Sequence, residues 1–190
     1  MLQLSLDDIR AGIERAASGD HLPAVEQWDP PLSGDIDIRI ARDGTWYHEG
    51  TPFERLALVR LFASLLKYEG GDYFLVTPAE KWRIQVEAVP FVLIALDVRL
   101  DGQGLRQLVF TTNLGDPVCA DAGHPLRIEI DPQTGQPTPY LRVRRNLDGL
   151  LSRPVYYQLV ELVELVELAE PAAAGERHGV TSAGVFFPLG

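Results

Sequence analysis

The segment GDIDIRIARDGTWYHEG, residues 34–50, alternates isoleucine with charged residues. A side-chain period of two is typical of a strand with one buried and one wet face. The apolar face would carry Ile36, Ile38 and Ile40, and the polar face Asp35, Asp37 and Arg39. The RDG that follows favours a hairpin turn, and TWYHEG is predicted as the return strand. The segment therefore predicts a half-buried β-hairpin.

Further segments carry strand patterns. YFLVT (73–77) stops at a proline, WRIQVE (82–87) alternates, FVLIALDVRL and LRQLVFTT flank a DGQG turn, and LRIEI and YLRVR flank the loop DPQTGQPTP. The run at 91–96 is apolar on both faces, which is typical of a central strand. The chain is therefore predicted to contain many strands.

Three segments predict helices. In TPFERLALVRLFASLLK, Thr51 is an N-cap candidate, Pro52 fits the first helical position and Glu54 completes a capping box. Its apolar residues then recur at helical spacing, at Leu56, Val59, Phe62 and Leu66. A helix is also predicted over about residues 6–17, and a short one, LDGLLS, after Asn146. The final VTSAGVFFPLG is predicted to dock on the body of the protein, because its two phenylalanines favour burial.

The charge of the chain restricts its partners. The 190 residues carry a formal net charge of −10, so the chain lacks the cationic excess that displaces counterions from nucleic acid. The single cysteine, Cys119, excludes an intrachain disulfide framework and a cysteine-rich zinc site. The first residues lack the apolar region of a signal peptide, and no apolar run reaches the roughly 20 residues of a membrane helix. We therefore expect a cytoplasmic protein without a nucleic-acid or membrane partner.

The two halves of the sequence echo each other. IDIRI resembles LRIEI, with Ile38 and Ile40 matching Ile128 and Ile130, and YFLV at 73–76 resembles YQLV at 157–160. Short apolar patterns also match by chance, so the residues alone leave a true repeat open. Two copies of one unit would create a cleft between them, which is a common place for a ligand.

The two aspartates of the first hairpin allow two interpretations. With His48 or His124, Asp35 and Asp37 could hold a metal for a hydrolase. Alternating isoleucines explain the same aspartates as a solvated strand face, and this interpretation is favoured. No GxSxG nucleophile motif occurs, and we predict no catalytic residue, no metal ligand and no cofactor.

Six polar residues are candidates to line a ligand-binding cleft: Arg39, Glu80, Lys81, Asn113, His124 and Arg127. Each also has a purely structural interpretation. The Glu80–Lys81 pair would be an exposed turn, Asn113 an Asx-type turn closing a hairpin, and His124 a buried or turn histidine. The arginines of YLRVRRNL, with Arg127 and Tyr140, fit an anionic ligand or acidic partner, or ion pairs with the many glutamates of the chain.

Many separated blocks occur together in one order: GDIDIRIARDGTWYHEG, LVRLF, YFLVTPAEKWRIQVEAVPF, FTTN, HPLR, PYLRVRRNL, VYYQLV and SAGVFFPLG. In these blocks the chain resembles the bacterial domain-of-unknown-function family numbered 1285, from about residue 25 to the C terminus. The resemblance implies a two-part architecture with a repeated structural motif. It also implies a role in signal transduction and a binding site between the two parts, and it carries no enzyme activity and no catalytic residues.

Together these observations predict an α+β fold with two similar strand–strand–helix–strand motifs, an internal structural repeat joined by a central β-hairpin. The predicted domains are residues 1–88, with the first repeat, and 89–190, with the second repeat and the docked tail. The predicted function is binding of an unknown small molecule or protein partner by a regulatory module. The alternatives are a metal-dependent hydrolase using Asp35, Asp37 and a histidine, or a homo-oligomeric assembly subunit.

Overall fold

The computed structural model of the chain describes residues 22–168 and 175–189. The helix predicted over residues 6–17 lies outside this range. The described residues up to Glu87 form one compact unit, and those from Ala88 onward form a second.

The first unit is a six-stranded sheet with a helix between its third and fourth strands. Its elements are β1 (Leu32–Ile40), β2 (Trp46–His48), β3 (Thr51–Pro52), α1 (Leu56–Ser64), β4 (Leu66–Glu69), β5 (Asp72–Val76) and β6 (Lys81–Val86), preceded by a 3₁₀ turn at Val25–Gln27. The strand order is β3-β2-β1-β6-β5-β4. The sheet is thus two three-stranded meanders, which meet where β1 runs parallel to β6.

The second unit contains another six-stranded sheet, followed by a helix and a three-stranded sheet. Its elements are β7 (Phe91–Leu100), β8 (Arg106–Thr112), β9 (Pro117–Cys119), β10 (Leu126–Ile130), β11 (Pro137–Arg144), β12 (Leu147–Leu151), α2 (Arg153–Glu161), β13 (Glu164–Leu168), β14 (Gly175–Ser182) and β15 (Val185–Pro188). The six strands are ordered β10-β11-β12-β7-β8-β9, and β12 runs parallel to β7.

The two six-stranded sheets have the same topology. When each is numbered from its own first strand, the order is 3-2-1-6-5-4, with the first and sixth strands parallel and the other described pairs antiparallel. The described chain is mostly β with helices in both units, so it fits the predicted two-part α+β fold.

The first hairpin forms as the alternation predicts. Ile38 and Ile40 are fully buried on one face of β1, while Asp35 and Asp37 are exposed. The turn closes through a hydrogen bond from the Ala41 N–H to the Thr45 carbonyl. Ile36 is only half-buried, so the alternation predicts the face of β1 that is buried, and burial is complete only at its end.

The predicted start of the central helix is wrong. Thr51 and Pro52 form β3 against Tyr47 and His48 of β2, and α1 begins at Leu56 instead. The helix ends at Ser64, because Leu66 already pairs with Leu75 in the sheet. Strand pairing thus overrides a capping pattern that is favourable only locally.

The predicted correspondence between the two halves is also wrong. Ile38 is buried in the central strand β1, whereas Ile130 lies on the edge strand β10 and is 55% exposed. YFLV lies in β5, but YQLV lies in α2. The counterpart of β1 in the second sheet is β7, so the repeat consists of strands in matching order and not of the matched letters.

Two further predictions of elements are corrected. The hairpin at 91–112 is no connector, since it supplies β7 and β8 of the second sheet. The residues predicted as a short helix, LDGLLS, form β12, and Arg145 adopts a left-handed φ of 52° in the turn before it. Alternating burial along β12 explains the difference, because its first, third and fifth residues are buried.

The described part of the C-terminal segment is tied to the second unit. Val180 and Phe187 are buried. The Ser182 hydroxyl accepts a hydrogen bond from the Leu108 N–H at 2.9 Å and donates one to the Ala120 carbonyl at 2.6 Å. A fully buried hydroxyl therefore links this segment to β8 and to the residue after β9.

Gly149 tests the parallel pairing of β12 with β7. A Cβ atom at this position would lie 2.3 Å from Leu93 Cδ2 and 3.0 Å from Val143 Cγ2. We expect Gly149→Ala to lower the free energy of unfolding by about 1–3 kcal/mol, because overpacking a core forces neighbours to shift. The measurement is urea unfolding, with Gly102→Ala as the matched control.

At Gly102 an added Cβ would meet nothing within 4 Å. We therefore expect the control to change the free energy of unfolding by less than about 0.5 kcal/mol. Equal stability of the two variants would contradict the close approach of β12 to Leu93.

Candidate functional site

Both six-stranded sheets place a cation over an aromatic ring on their second meander. In the first sheet, Phe74 of β5 lies directly opposite Lys67 of β4 and Arg83 of β6. In the second, Tyr140 of β11 lies directly opposite Arg127 of β10. Directly opposite residues share one face of a sheet, so Phe74 lies between two cations, whereas Tyr140 lies between Arg127 and Leu150.

In the first unit, cations lie between exposed carboxylates. The Lys81 Nζ lies 3.1 Å from Glu69 Oε2 and 3.9 Å from Asp29 Oδ1, and 5.1 Å from the centre of the Phe74 ring. The Lys81 side chain is only 13% exposed. Its aliphatic stem therefore covers apolar surface while its charge is neutralised.

Arg83 continues this face toward β1. Its guanidinium lies 3.6 Å from Asp35 Oδ1 and 3.4 Å from Asp72 Oδ2. The hydrogen bond from Lys81 and the charge of Lys67 lower the pKa of Glu69. The carboxylates of this face are thus engaged by cations of the same sheet.

In the second unit, one carboxylate joins two arginines. Asp148 Oδ2 lies 3.0 Å from Arg127 Nη1, and Asp148 Oδ1 accepts a 2.6 Å hydrogen bond from Arg142 Nε. The Asp148 side chain is 13% exposed. Arg127 Cζ also lies 4.8 Å from the centre of the Tyr140 ring. Arg127 is therefore held from one side by a partly buried carboxylate and from another by an aromatic ring.

The remaining donors of Arg127 point to an exposed carboxylate. Its Nε and Nη2 both lie 3.1 Å from Glu129 Oε1, on the same edge strand. The Glu129 side chain is 59% exposed. The fork of Arg127 thus has one inner partner, Asp148, and one outer partner in contact with solvent.

The three predicted site residues of the first unit do not form one cluster. Arg39 pairs with Glu87 and stacks over Tyr47 at 4.3 Å. In the register of β1 with β6 it lies opposite Gln85, whereas Lys81 lies opposite Leu32. Arg39 and Lys81 are therefore at opposite ends of β6.

The third residue, Glu80, precedes Lys81 directly. Its carboxylate accepts a 3.3 Å hydrogen bond from the Trp82 indole N–H, and its backbone closes the turn with Thr77. Glu80 is thus a turn residue with a defined partner in its own unit.

Asn113 and His124 also have defined contacts within the second unit. Asn113 Oδ1 accepts a hydrogen bond from the Val92 N–H at 3.1 Å, and the Asn113 N–H donates to the Val92 carbonyl at 2.7 Å. His124 Nδ1 lies 2.9 Å from Asp121 Oδ1. These contacts fit the structural interpretations of both residues. Arg127, in contrast, lies with Arg142 around the carboxylate of Asp148.

The cation beside the polar face of β1 is not a metal ion but the guanidinium of Arg83. Arg83 lies next to Asp35, and the backbone carbonyl of Asp37 accepts a hydrogen bond from the Glu49 N–H. The His48 ring lies against Phe53. Within residues 22–168 and 175–189, no three His, Cys, Asp or Glu side chains are grouped so that they could hold a metal ion.

Sequence reasoning missed Asp148 as a functional candidate because it fell in a segment predicted as helix. The segment LDGLL carries little signal, because residues 148 and 150, which share one face of a strand, are an aspartate and a leucine. The pairing of Asp148 with Arg142 depends on the register of β11 with β12, which the sequence does not reveal.

The fold defines a class of protein with two units, each built on a six-stranded sheet of the same strand order. The family described as Domain of unknown function (DUF1285), N-terminal domain, matches residues 23–89, and Protein of unknown function (DUF1285), C-terminal domain, matches residues 90–189. The chain therefore belongs to the DUF1285 family.

Two solved structures are similar to this chain. A DUF1285 family protein from Silicibacter pomeroyi DSS-3 is 42% identical, with a TM-score of 0.79, over 95% of this chain and 93% of that one. One from Shewanella baltica OS155 is 29% identical, with a TM-score of 0.50, over 65% of this chain and 90% of that one. No curated protein matches the chain. Across its described part, no helix combines the length and apolar character needed to cross a membrane.

The Asp121–His124 turn predicts a pH-dependent stability. Burial acts to raise the pKa of Asp121, but hydrogen bonds from the His124 ring and from the backbone N–H groups of His124 and Gly123 outweigh it and lower this pKa. A carboxyl with a lowered folded-state pKa stabilises the fold above its unfolded-state pKa of about 3.9. This stabilisation is lost as the pH falls through the folded-state pKa.

We expect Asp121→Asn to be less stable than the wild type by about 1 kcal/mol or less at pH 6, because the site is partly exposed. The difference should shrink as the pH falls below about 4. Urea unfolding of both proteins from pH 6 to pH 3 measures it. A difference that stays constant over this range would contradict the assigned role of the Asp121 charge.

Proposed function

We propose that the protein is a binding module whose second unit recognises an anionic group at Arg127. The group is a carboxylate or phosphate, carried by a small molecule or by an acidic segment of a partner protein. We assign this binding a regulatory role in signal transduction, as the family resemblance implies, and place it in the cytoplasm, as the sequence leads us to expect. We also propose the domain limits 1–88 and 89–190, and retain Arg127 as the leading residue of the six candidates.

The observation that carries this proposal is the fixed position of the Arg127 guanidinium. Asp148 holds it from the inner side and the Tyr140 ring lies beside it. A guanidinium presents several N–H donors in one plane and matches the two oxygens of a carboxylate or phosphate. Because Arg127 is already ordered, binding would cost less side-chain entropy than at a free arginine.

The second supporting observation is the exposed partner Glu129. Its carboxylate occupies the outer side of the Arg127 fork, where a ligand anion would bind. An ion pair between exposed side chains contributes little to stability, about 0–1 kcal/mol. A ligand anion could therefore replace Glu129 at small cost, and Glu129 would act as an internal competitor.

Arg142 extends the positive side of this surface. It shares Asp148 with Arg127, and its Nη1 donates a hydrogen bond to the Arg145 carbonyl at 3.0 Å. Two guanidinium groups thus face the carboxylates of Asp148 and Glu129, so a positive excess arises only when a ligand displaces Glu129. Binding of the anion would then weaken as salt is added.

Isothermal titration with inorganic phosphate and with a hexaglutamate peptide tests the proposal, with the two probes separating a small anion from an acidic segment. We expect Arg127→Lys to weaken binding about tenfold or more, because a lysine keeps the charge but loses the planar fork. We expect Glu129→Gln to strengthen binding severalfold, because it removes the internal competitor.

Arg153→Ala is the matched control, since Arg153 is an exposed arginine of the same unit. We expect it to bind both probes as the wild type does. Affinities that are equal for Arg127→Lys and Arg153→Ala, or unchanged in Glu129→Gln, would refute recognition at Arg127.

A further inference from the structure

The outer half of β7 has an edge open to solvent. β12 pairs with β7 at Phe91, Val92 and Leu93, and beyond these residues no described strand pairs with that edge. Leu93 is fully buried, whereas the residues beyond it are exposed except for the half-buried Leu96, and Leu100 is 71% exposed. Helix α2 packs against β7, and the start of the helix is tied to Leu93 by a hydrogen bond from the Ser152 N–H. The outer residues of the strand remain exposed.

The backbone groups of this edge alternate in direction. The Asp101 N–H donates to the Leu105 carbonyl in the hairpin with β8. Residues two apart in an antiparallel ladder point their N–H and C=O groups the same way, so Arg99 and Asp97 also bond toward β8. The backbone groups of Leu96, Val98 and Leu100 consequently point to the open edge.

The sequence of this edge is complementary to itself. Leu96-Asp97-Val98-Arg99-Leu100 read backwards gives leucine, arginine, valine, aspartate and leucine. An antiparallel copy centred on Val98 would set Asp97 opposite Arg99 of the other chain, and Leu96 opposite Leu100. Opposite charges and apolar side chains in directly opposed positions stabilise strand pairs.

We propose that two copies of this chain associate through β7, with their strands antiparallel and a two-fold axis at the Val98 pair. The two sheets would then join edge to edge, with about six backbone hydrogen bonds between the two chains. The shared contact is isologous, as a two-fold axis requires. It removes an open and apolar strand edge from water, where such edges invite pairing.

The charges select this register over its neighbours. A two-fold axis at Asp97 would set two aspartates directly opposite each other, and an axis at Arg99 would oppose two arginines. Like charges in directly opposite positions are unfavourable. In the Val98 register, Asp97 and Arg99 form a non-hydrogen-bonded pair, in which side chains approach most closely.

The exposed apolar residues of this hairpin support the same partner. Ile94, Val98, Leu100 and Leu105 are all among the large apolar side chains that solvent reaches. A five-residue strand pair buries less area than the roughly 1,200 Å² of a stable interface. The association is therefore weak and depends on protein concentration.

Sedimentation equilibrium of the full chain from about 10 μM to about 1 mM tests the proposal. The wild type should pass from monomer toward dimer over this range, consistent with a small interface. Asp97→Arg and Arg99→Asp should each weaken dimerisation about tenfold or more, because each opposes like charges twice across the axis. The double variant, with both changes, should restore it, since the charges are again complementary.

Asp97 and Arg99 are more than half exposed, so we expect all three variants to fold, which circular dichroism checks. A wild type that stays monomeric up to about 1 mM would overturn the proposal, as would single variants that dimerise like the wild type. A double variant as weak as the single variants would overturn the Val98 register. None of these results bears on anion binding at Arg127.

Discussion

Each six-stranded sheet depends on one parallel strand pair. β1 joins β6 in the first unit, and β7 joins β12 in the second. Each pair connects the first strand of one meander to the last strand of the next, so it converts two local meanders into one sheet. The core residues Ile38 and Ile40 in β1, and Phe91 and Leu93 in β7, lie in these central strands. Without the pair, each meander would keep two open edges.

The same construction creates the charged faces. In each sheet the second meander has an aromatic residue on its middle strand, Phe74 or Tyr140, with cations placed beside it by strand register. The carboxylates that pair with these cations differ in exposure between the two units. In the first unit the carboxylates are the more exposed partners, whereas in the second Asp148 is the inner partner of Arg127. Arg127 of the second face is held by a mostly buried carboxylate, whereas Arg83 of the first face has only carboxylates that are at least half exposed, which makes Arg127 the better candidate for binding an anion.

Local patterns predicted the elements that are stabilised locally. The alternation in residues 35–40 predicted β1 because its buried isoleucines follow the pleat of the strand. Capping residues at Thr51 and Pro52 misled the prediction of α1, because pairing with β2 decides the conformation there. The internal repeat was expected for two reasons, a family resemblance and an apparent match of short motifs, but the match joined a central strand to an edge strand.

The candidate site could be predicted only in part. Arg127 and the basic segment that begins at Tyr140 were identified as candidates from the sequence. Both residues lie on the sheet face that also carries Arg142 and Asp148. Asp148 could not be placed beside them, because its contacts depend on strand register across three strands. Partners such as Glu87 for Arg39, 48 residues away along the chain, likewise follow from tertiary pairing. Sequence patterns indicate which side chains share a strand face, while the register decides which of them meet.

We propose that Arg127 is a preorganised receptor for an anionic group. The most direct measurement is the NMR signal of the Arg127 side-chain Nε–H during titration with inorganic phosphate. We expect a saturable shift of this signal, with the Arg153 signal unchanged and with tighter binding in Glu129→Gln. A titration that leaves the Arg127 signal in place, or that shifts all exposed arginines alike, would contradict it.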